Sequence, residues 1–290
     1  MKTVFEKGRH SAGKKSLEWA RVRNGSPQGF VFVPPLIGGN VSQQVIAFRW
    51  LVRQGYDLFS FNYSGHGGSS GKFSLGASIG DTLHMLDHAL HLGRKEGLPF
   101  FGIASCYSAI PLLHATHRLE EPMKKLVLIN AIPRLGPKAV ITSFFSHYVK
   151  SLPVEGVFLG FSAAVGLYAD SLFPGVVKGK DFFGVLERSR ARLLKMISEF
   201  FTLNPLEGVR LATTPVLCIH ARKDSILEIY GGSAKTTYQD DIRRVCPKAC
   251  FKPVDGDHFL SPTPAKGEAM KSIASFFRQN IRMRSQAGPG

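Results

Sequence analysis

At 290 residues, with 44% hydrophobic and 20% charged residues, the chain can bury one large core and has the composition of a soluble globular protein. Its 37 Lys and Arg against 21 Asp and Glu give a net charge of +16. That charge favours anionic partners: an acidic carrier protein, a phosphate-bearing thioester such as one of coenzyme A, or peripheral contact with an anionic membrane. Nothing resembles a helix-turn-helix, a zinc finger or an aromatic RNA-binding sheet, so no nucleic acid partner is expected.

The opening Met1-Lys2-Thr3-Val4-Phe5-Glu6 quickly becomes charged and lacks the apolar core of a signal peptide. The four cysteines therefore read as reduced thiols of a cytoplasmic protein. Thr3 to Lys7 and Ser16 to Arg23 are predicted as two antiparallel strands. Gly29 to Val33 is a continuous apolar run, as in a central strand buried on both faces. Ser42 to Gln54 has helical spacing, Tyr56 to Tyr63 is the next strand, and Ser64 to Gly71 is a glycine-rich loop. Asp81 to Lys95 is an amphipathic helix, with Leu83, Leu86, Ala89 and Leu92 on one side.

Phe100 to Ala104 is a strand that leads into a helix over Tyr107 to Arg118. Lys125 to Asn130, Thr214 to His220 and Ala249 to Pro253 are three more strands, and Thr263 to Arg284 is a closing helix. Strands alternating with helices predict an α/β protein with a mostly parallel central sheet and helices on both faces. The stretch from Arg134 to Ala212 breaks the rhythm, with helical apolar patterns and no convincing strand. Its longest apolar patch, Val157 to Tyr168, is too short for a membrane span. The organisation is therefore a core over 1–133 and 213–284, an inserted helical lid over 134–212, and a flexible tail over 285–290. The apolar face of the lid suits an acyl substrate, or else packs as ordinary helix-to-helix core. Cys246 and Cys250 lie one helical turn apart, but no second ligand pair completes a zinc site, and neither metal nor cofactor is expected.

The chemistry concentrates at strand ends. In Gly102-Ile103-Ala104-Ser105-Cys106-Tyr107-Ser108-Ala109, an apolar strand runs through a tight turn straight into a helix. Such a turn needs small residues two before and two after its tip. Cys106 at the tip has Ala104 and Ser108 there, whereas Ser105 would have the bulky Ile103 and Tyr107. The frame selects the thiol. Ala104 at the tip, between Gly102 and Cys106, would give an inert protein, and a buried structural cysteine is the plain alternative. A thiol nucleophile needs a base and a group to orient that base. Asp224 lies just past strand Thr214 to His220, and His258 follows the last strand in Val254-Asp255-Gly256-Asp257-His258. Asp255 and Asp257 compete for the orienting role but read as peripheral. One oxyanion-stabilising N–H is expected from Tyr107. A second is expected from Leu36 or Ile37, because Pro34 and Pro35 have none to offer. The loop Ser64-Gly65-His66-Gly67-Gly68-Ser69 lacks the ending of a phosphate-binding loop and reads as a structural turn.

Together these residues resemble the α/β-hydrolase superfamily over nearly the whole chain. The turn around Cys106 is similar to its nucleophile elbow, and Gly65-His66-Gly67-Gly68-Ser69 to its Gly-His-Gly-x-Ser loop, with Asn62 where many members have Asp. Ala104-x-Cys106-x-Ser108-Ala109 resembles the elbow of the bacterial luminescence acyl-transferase, with Cys for Ser. Val33-Pro34-Pro35-Leu36-Ile37 and Trp50-Leu51-Val52-Arg53-Gln54-Gly55 resemble segments of the polyhydroxyalkanoate synthases, which use a cysteine. Both resemblances imply acyl thioester chemistry. The expected function is acyl transfer, as a thioesterase or acyltransferase, with Cys106, His258 and Asp224 as nucleophile, base and orienting acid. Ester or lactone hydrolysis by the same triad, and a non-catalytic binding protein that keeps the fold, are the alternatives.

Overall fold

The computed structural model describes residues 3–36, 40–133, 206–224, 238–258, 260 and 263–279. Eight strands form one sheet: β1 Thr3–Ala12, β2 Lys15–Asn24, β3 Gly29–Phe32, β4 Tyr56–Phe61, β5 Phe100–Ser105, β6 Lys125–Ile129, β7 Val216–Ala221 and β8 Ala249–Val254. The described helices are α1 Val41–Arg53, α2 Leu75–Lys95, α3 Ala109–His117, α4 Tyr238–Val245 and α5 Thr263–Arg278. The strand order is β1-β2-β4-β3-β5-β6-β7-β8. Pairing is parallel from β4 through β8, and antiparallel only where β2 meets β1 and β4. The predicted mostly parallel sheet with helices on both faces is what the chain forms.

Strand alternation builds two cores from one sequence run. In β3, Phe30 and Phe32 join the cluster under α2, α3 and α4, while Val31, and Val33 just past the strand, join the opposite one under α1 and α5. Both faces are dry, so these strands read as unbroken apolar runs. Several boundaries differ from the sequence expectation for local reasons. The β1–β2 hairpin pairs along its whole length, from Thr3↔Asn24 to Ala12↔Lys15. Helix α2 begins at Leu75, because the Ser74 hydroxyl accepts the Ala77 N–H at 3.0 Å and caps it. The chain over 106–108 is a 3₁₀ turn before α3. Helix α4, largely polar with only Tyr238, Ile242 and Val245 turned inward among its apolar residues, has no counterpart in the predicted elements.

The expected lid falls on residues that are not described, up to 205. Its last residues, Leu206, Val209 and Leu211, are buried in the core beside α4, where the Leu211 N–H meets the Val245 carbonyl at 2.7 Å. The expected tail also lies outside the described residues. Among the described residues no helix is long and apolar enough to cross a membrane.

The topology singles out one edge. The chain leaves β3 through α1 to β4 on one side, then returns through α2 to β5 on the other side of β3. The gap beyond the carboxyl ends of β3 and β5 is thus the switch point of the sheet, where open α/β folds gather ligands. Away from that edge, Arg21 of β2 is buried over the Phe30 ring, paired with Asp57 and with Glu96 at the end of α2. The second Asp57 oxygen takes the Asn24 N–H at 2.7 Å. Removing one partner of a buried ion pair leaves the other charge uncompensated. Asp57→Ala is expected to lower stability by about 3–5 kcal/mol, read as a drop in the urea midpoint. A loss under about 1 kcal/mol would show that the pair holds nothing together.

Candidate active site

Strand β5 delivers Cys106 to the switch point in a backbone conformation that side chains seldom adopt, φ 51°. The packing beneath keeps it there. Gly102 lets Met123, and Leu126 of β6, pack closely against β5, since a Cβ at that position would come within 2.9 Å of Leu126 and 2.8 Å of Met123. The Ser108 hydroxyl donates to the Ser105 carbonyl at 2.8 Å and accepts the Ser105 N–H at 3.0 Å, closing the turn on itself. Tyr107 is buried, and its hydroxyl is hydrogen-bonded to that of Ser78 in α2 at 2.6 Å. Ala104 is fully buried within β5 and Ser105 is the last residue of that strand, so neither sits at the tip.

Strands β7 and β8 bring the other two groups. The His258 Nδ1 lies 2.7 Å from the Asp224 Oδ2, and the aspartate is 1% exposed. With Nδ1 so engaged, the remaining ring nitrogen is left for Cys106, to which His258 is also hydrogen-bonded. Burial works against a charge on His258, but the hydrogen bonds to Asp224 and Cys106 and the electrostatic interactions with them outweigh it and push the imidazole up to about 10. The three predicted residues therefore form one hydrogen-bonded line, with Asp224 clear of water behind the ring. Asp255 instead faces Lys223 at the surface, at 3.1 Å.

Tyr107 follows the cysteine directly. Leu36 is half-buried on the β3 exit loop, behind the buried Pro34 and Pro35, and Ile37 lies outside the described residues. The far end of that loop is anchored. Asn40 caps α1, and the Asn62 Oδ1 accepts the Val41 N–H at 2.7 Å. Glu18 of β2 binds both the Asn62 amide and the Gly68 N–H. His66 is buried against Tyr63 and Phe73 and its imidazole is lowered by burial, so it packs the glycine-rich loop as a structural residue.

Of the other thiols, Cys218 and Cys246 are buried and pushed up by that burial, Cys246 to about 12, whereas Cys250 is exposed. Among the described residues no three His, Cys, Asp or Glu gather to hold a metal. Sequence reasoning left out Ser78, Glu18 and Asn130, the last of which touches the His258 main chain at 2.7 Å. Each acts through a partner distant in sequence. The only local sign was at Asn130, a polar residue directly after an apolar strand.

No protein-family model and no curated protein sequence matches the chain. Solved structures do match. An epoxide hydrolase of potato (Solanum tuberosum) superposes with a TM-score of 0.60 at 14% identity, over 95% of this chain and 100% of its own. A monoglyceride lipase of Saccharomyces cerevisiae gives 0.60 at 13% identity, over 93% and 94%. Mouse alpha/beta hydrolase domain-containing protein 10 gives 0.57 at 18% identity, over 94% and 99%.

The raised His258 makes a signed prediction. Its protonation supports the folded state fully below about pH 6.5, and that support is lost as pH rises through about 10. In NMR titrations the ring is expected to remain charged past neutrality, and to fall toward the ordinary range in Asp224→Asn. A wild-type His258 that titrates near 6.5 would refute the charged pair. On this structural likeness and its sheet topology, the chain has the α/β-hydrolase fold.

Proposed function

We propose that this protein is an acyl-transfer enzyme that works through an acyl-cysteine. One observation carries the reading: a cysteine held at positive φ on the elbow, hydrogen-bonded to a histidine that a buried aspartate orients. With its proton passed to His258, the Cys106 sulfur attacks a thioester or ester carbonyl, and the carbonyl electron pair moves onto oxygen. The Tyr107 N–H, with one from Leu36 or Ile37, stabilises that oxyanion. When the tetrahedral intermediate collapses, the leaving thiol or alcohol takes its proton from the His258 imidazolium. Neutral His258 then deprotonates water or an acceptor alcohol, which attacks the acyl carbon, and the C–S bond breaks. Asp224 steadies the ring in both half-reactions.

Acyl thioesters fit a cysteine especially well, because attack exchanges one thioester for another at little energetic cost. This matches the resemblance to the luminescence acyl-transferase and the polyhydroxyalkanoate synthases. Ester hydrolysis by the same triad is the second reading, and the yeast monoglyceride lipase with this fold favours it. The epoxide hydrolase is a poorer guide to chemistry here. A sulfur that opened an epoxide would be left in a thioether, which has no acyl carbon for water to attack. A carbonyl substrate releases the enzyme and an epoxide traps it.

Intact mass after incubation with acyl thioesters and p-nitrophenyl esters tests the reading. An acyl adduct is expected on the wild type and not on Cys106→Ala, with turnover reduced about 10³-fold or more. Absence of adduct and turnover across the panel would leave a non-catalytic binding protein of this fold. The net charge of +16 extends the proposal to an anionic thioester, presented on coenzyme A or an acidic carrier in the cytoplasm, and leaves room for contact with an anionic membrane. Added salt should then raise KM for a coenzyme A thioester and leave a neutral p-nitrophenyl ester unaffected. Equal salt dependence for both would sink the electrostatic part.

A further inference from the structure

Asn130, the first residue after β6, carries no role in the chemistry above, yet it is buried and held at φ 44°. Asparagine tolerates this conformation better than other side chains, which explains its choice over a β-branched residue at the strand end. Its backbone N–H continues the ladder to the Ile219 carbonyl at 2.9 Å. Its amide oxygen accepts the Ala221 N–H at 2.8 Å, and its amide nitrogen donates to the His258 carbonyl at 2.7 Å. These two bonds fix the orientation of the amide. A flipped amide would set oxygen against the His258 carbonyl oxygen and NH₂ against the Ala221 N–H, and both contacts would be repulsive.

The two partners stand on the segments that carry the acid and the base. Ala221 ends β7 just before Asp224. The β7 and β8 exit loops are cross-linked besides, by the Arg222 N–H to the Val254 carbonyl at 2.9 Å and the Lys223 N–H to the Gly256 carbonyl at 3.0 Å. Two residues beyond Asn130, the Ile132 N–H meets the carbonyl of Cys106 itself at 3.3 Å. One short loop thus grips the main chain of the nucleophile at one point and that of the base at another.

We infer that Asn130 is a positioning residue that sets the spacing between Cys106 and His258, by clamping the exits of β6, β7 and β8 into one frame. This rests on the triad reading above. The local chemistry is demanding. Aspartate has the same shape and keeps the acceptor for Ala221, but has no donor for His258 and turns a charge toward its carbonyl. Glycine keeps the backbone conformation and loses both side-chain bonds.

Alkylation by iodoacetamide at neutral pH, resolved by peptide mass mapping, tests the inference on the whole protein without knowledge of the substrate. The exposed Cys250 of β8 serves as internal reference. In the wild type Cys106 should outpace Cys250. In Asn130→Asp and Asn130→Gly the ratio should fall about ten- to a hundredfold, as expected when a reacting pair is displaced by roughly 1 Å. In Asn130→Gly, which adds no charge, the His258 ring should also titrate below its wild-type position. A residue needed only for folding would lower Tm and leave both readouts unchanged below the transition. Asn130→Asp decides the matter if the glycine variant does not fold. A fast wild-type Cys106 whose ratio is unmoved in the variants overturns the role of Asn130 alone. A wild-type Cys106 no faster than Cys250 overturns the triad reading, and this inference with it.

Discussion

A side chain held at positive φ costs on the order of 1–3 kcal/mol, and the structure around Cys106 is arranged to keep its φ of 51° from relaxing. Three kinds of contact share the task. The absence of a side chain at Gly102 lets Met123 and Leu126 pack closely against β5 below the turn. The Ser108 hydroxyl binds both backbone groups of Ser105, where β5 ends and the sharp bend begins. The buried Tyr107 fastens the turn sideways to α2 through Ser78. With the backbone so constrained, the sulfur is presented off the end of β5 toward the other strand ends. Everything said of the site depends on that presentation.

The same edge handles charge differently from the rest of the protein. The buried Arg21–Asp57 pair, continued outward by Glu96 and Arg23, balances its charge internally, with its hydrogen-bonding capacity spent on partners in β2, β4 and the end of α2. The line from Asp224 through His258 to Cys106 ends in an atom that is only partly covered. The first arrangement locks the antiparallel side of the sheet to its parallel part. The second stores a proton on an imidazole and leaves the acceptor of that proton to be chosen by whatever enters. Buried charge at a sheet end is therefore not in itself a mark of function; an unclosed end to the chain of partners is.

How much of this could be read from the sequence follows from the range of each interaction. The parallel strands were legible because burial on both faces makes Gly29–Phe32 or Lys125–Ile129 continuous in apolar character, whatever they pack on. The elbow was legible because its steric demand falls on Ala104 and Ser108, close neighbours of the tip. Asp224 and His258 stood out because each follows a strand in the order this fold requires. Helix α4 was missed because its inward residues, Tyr238, Ile242 and Val245, are separated by charges that dominate any short window. Helix α2 was shortened in the reading because Gly76 and Gly80 disguise a first turn that Ser74 caps. Asn130 and Glu18 were invisible in another sense. Asn130 bonds to Ala221 and His258, and Glu18 to Asn62 and Gly68, so their meaning exists only once the sheet has brought those segments together.

Placing a charged histidine beside a cysteine also changes which step the protein makes easy. With a neutral base and a neutral nucleophile, the proton must leave the nucleophile as the new bond forms. Here burial disfavours the imidazolium and Asp224 restores it, so the proton already lies on His258 when the substrate arrives. In the acyl-transfer reading proposed above, the ring then faces the leaving group as an acid. The demanding half-reaction becomes the second, in which His258 must be neutral to activate water or an alcohol. In that reading an acyl-cysteine supplies the condition: once the sulfur is acylated, one of the interactions that hold the proton on the ring is lost. Acylation of the nucleophile proposed here thus favours the neutral form of its own base.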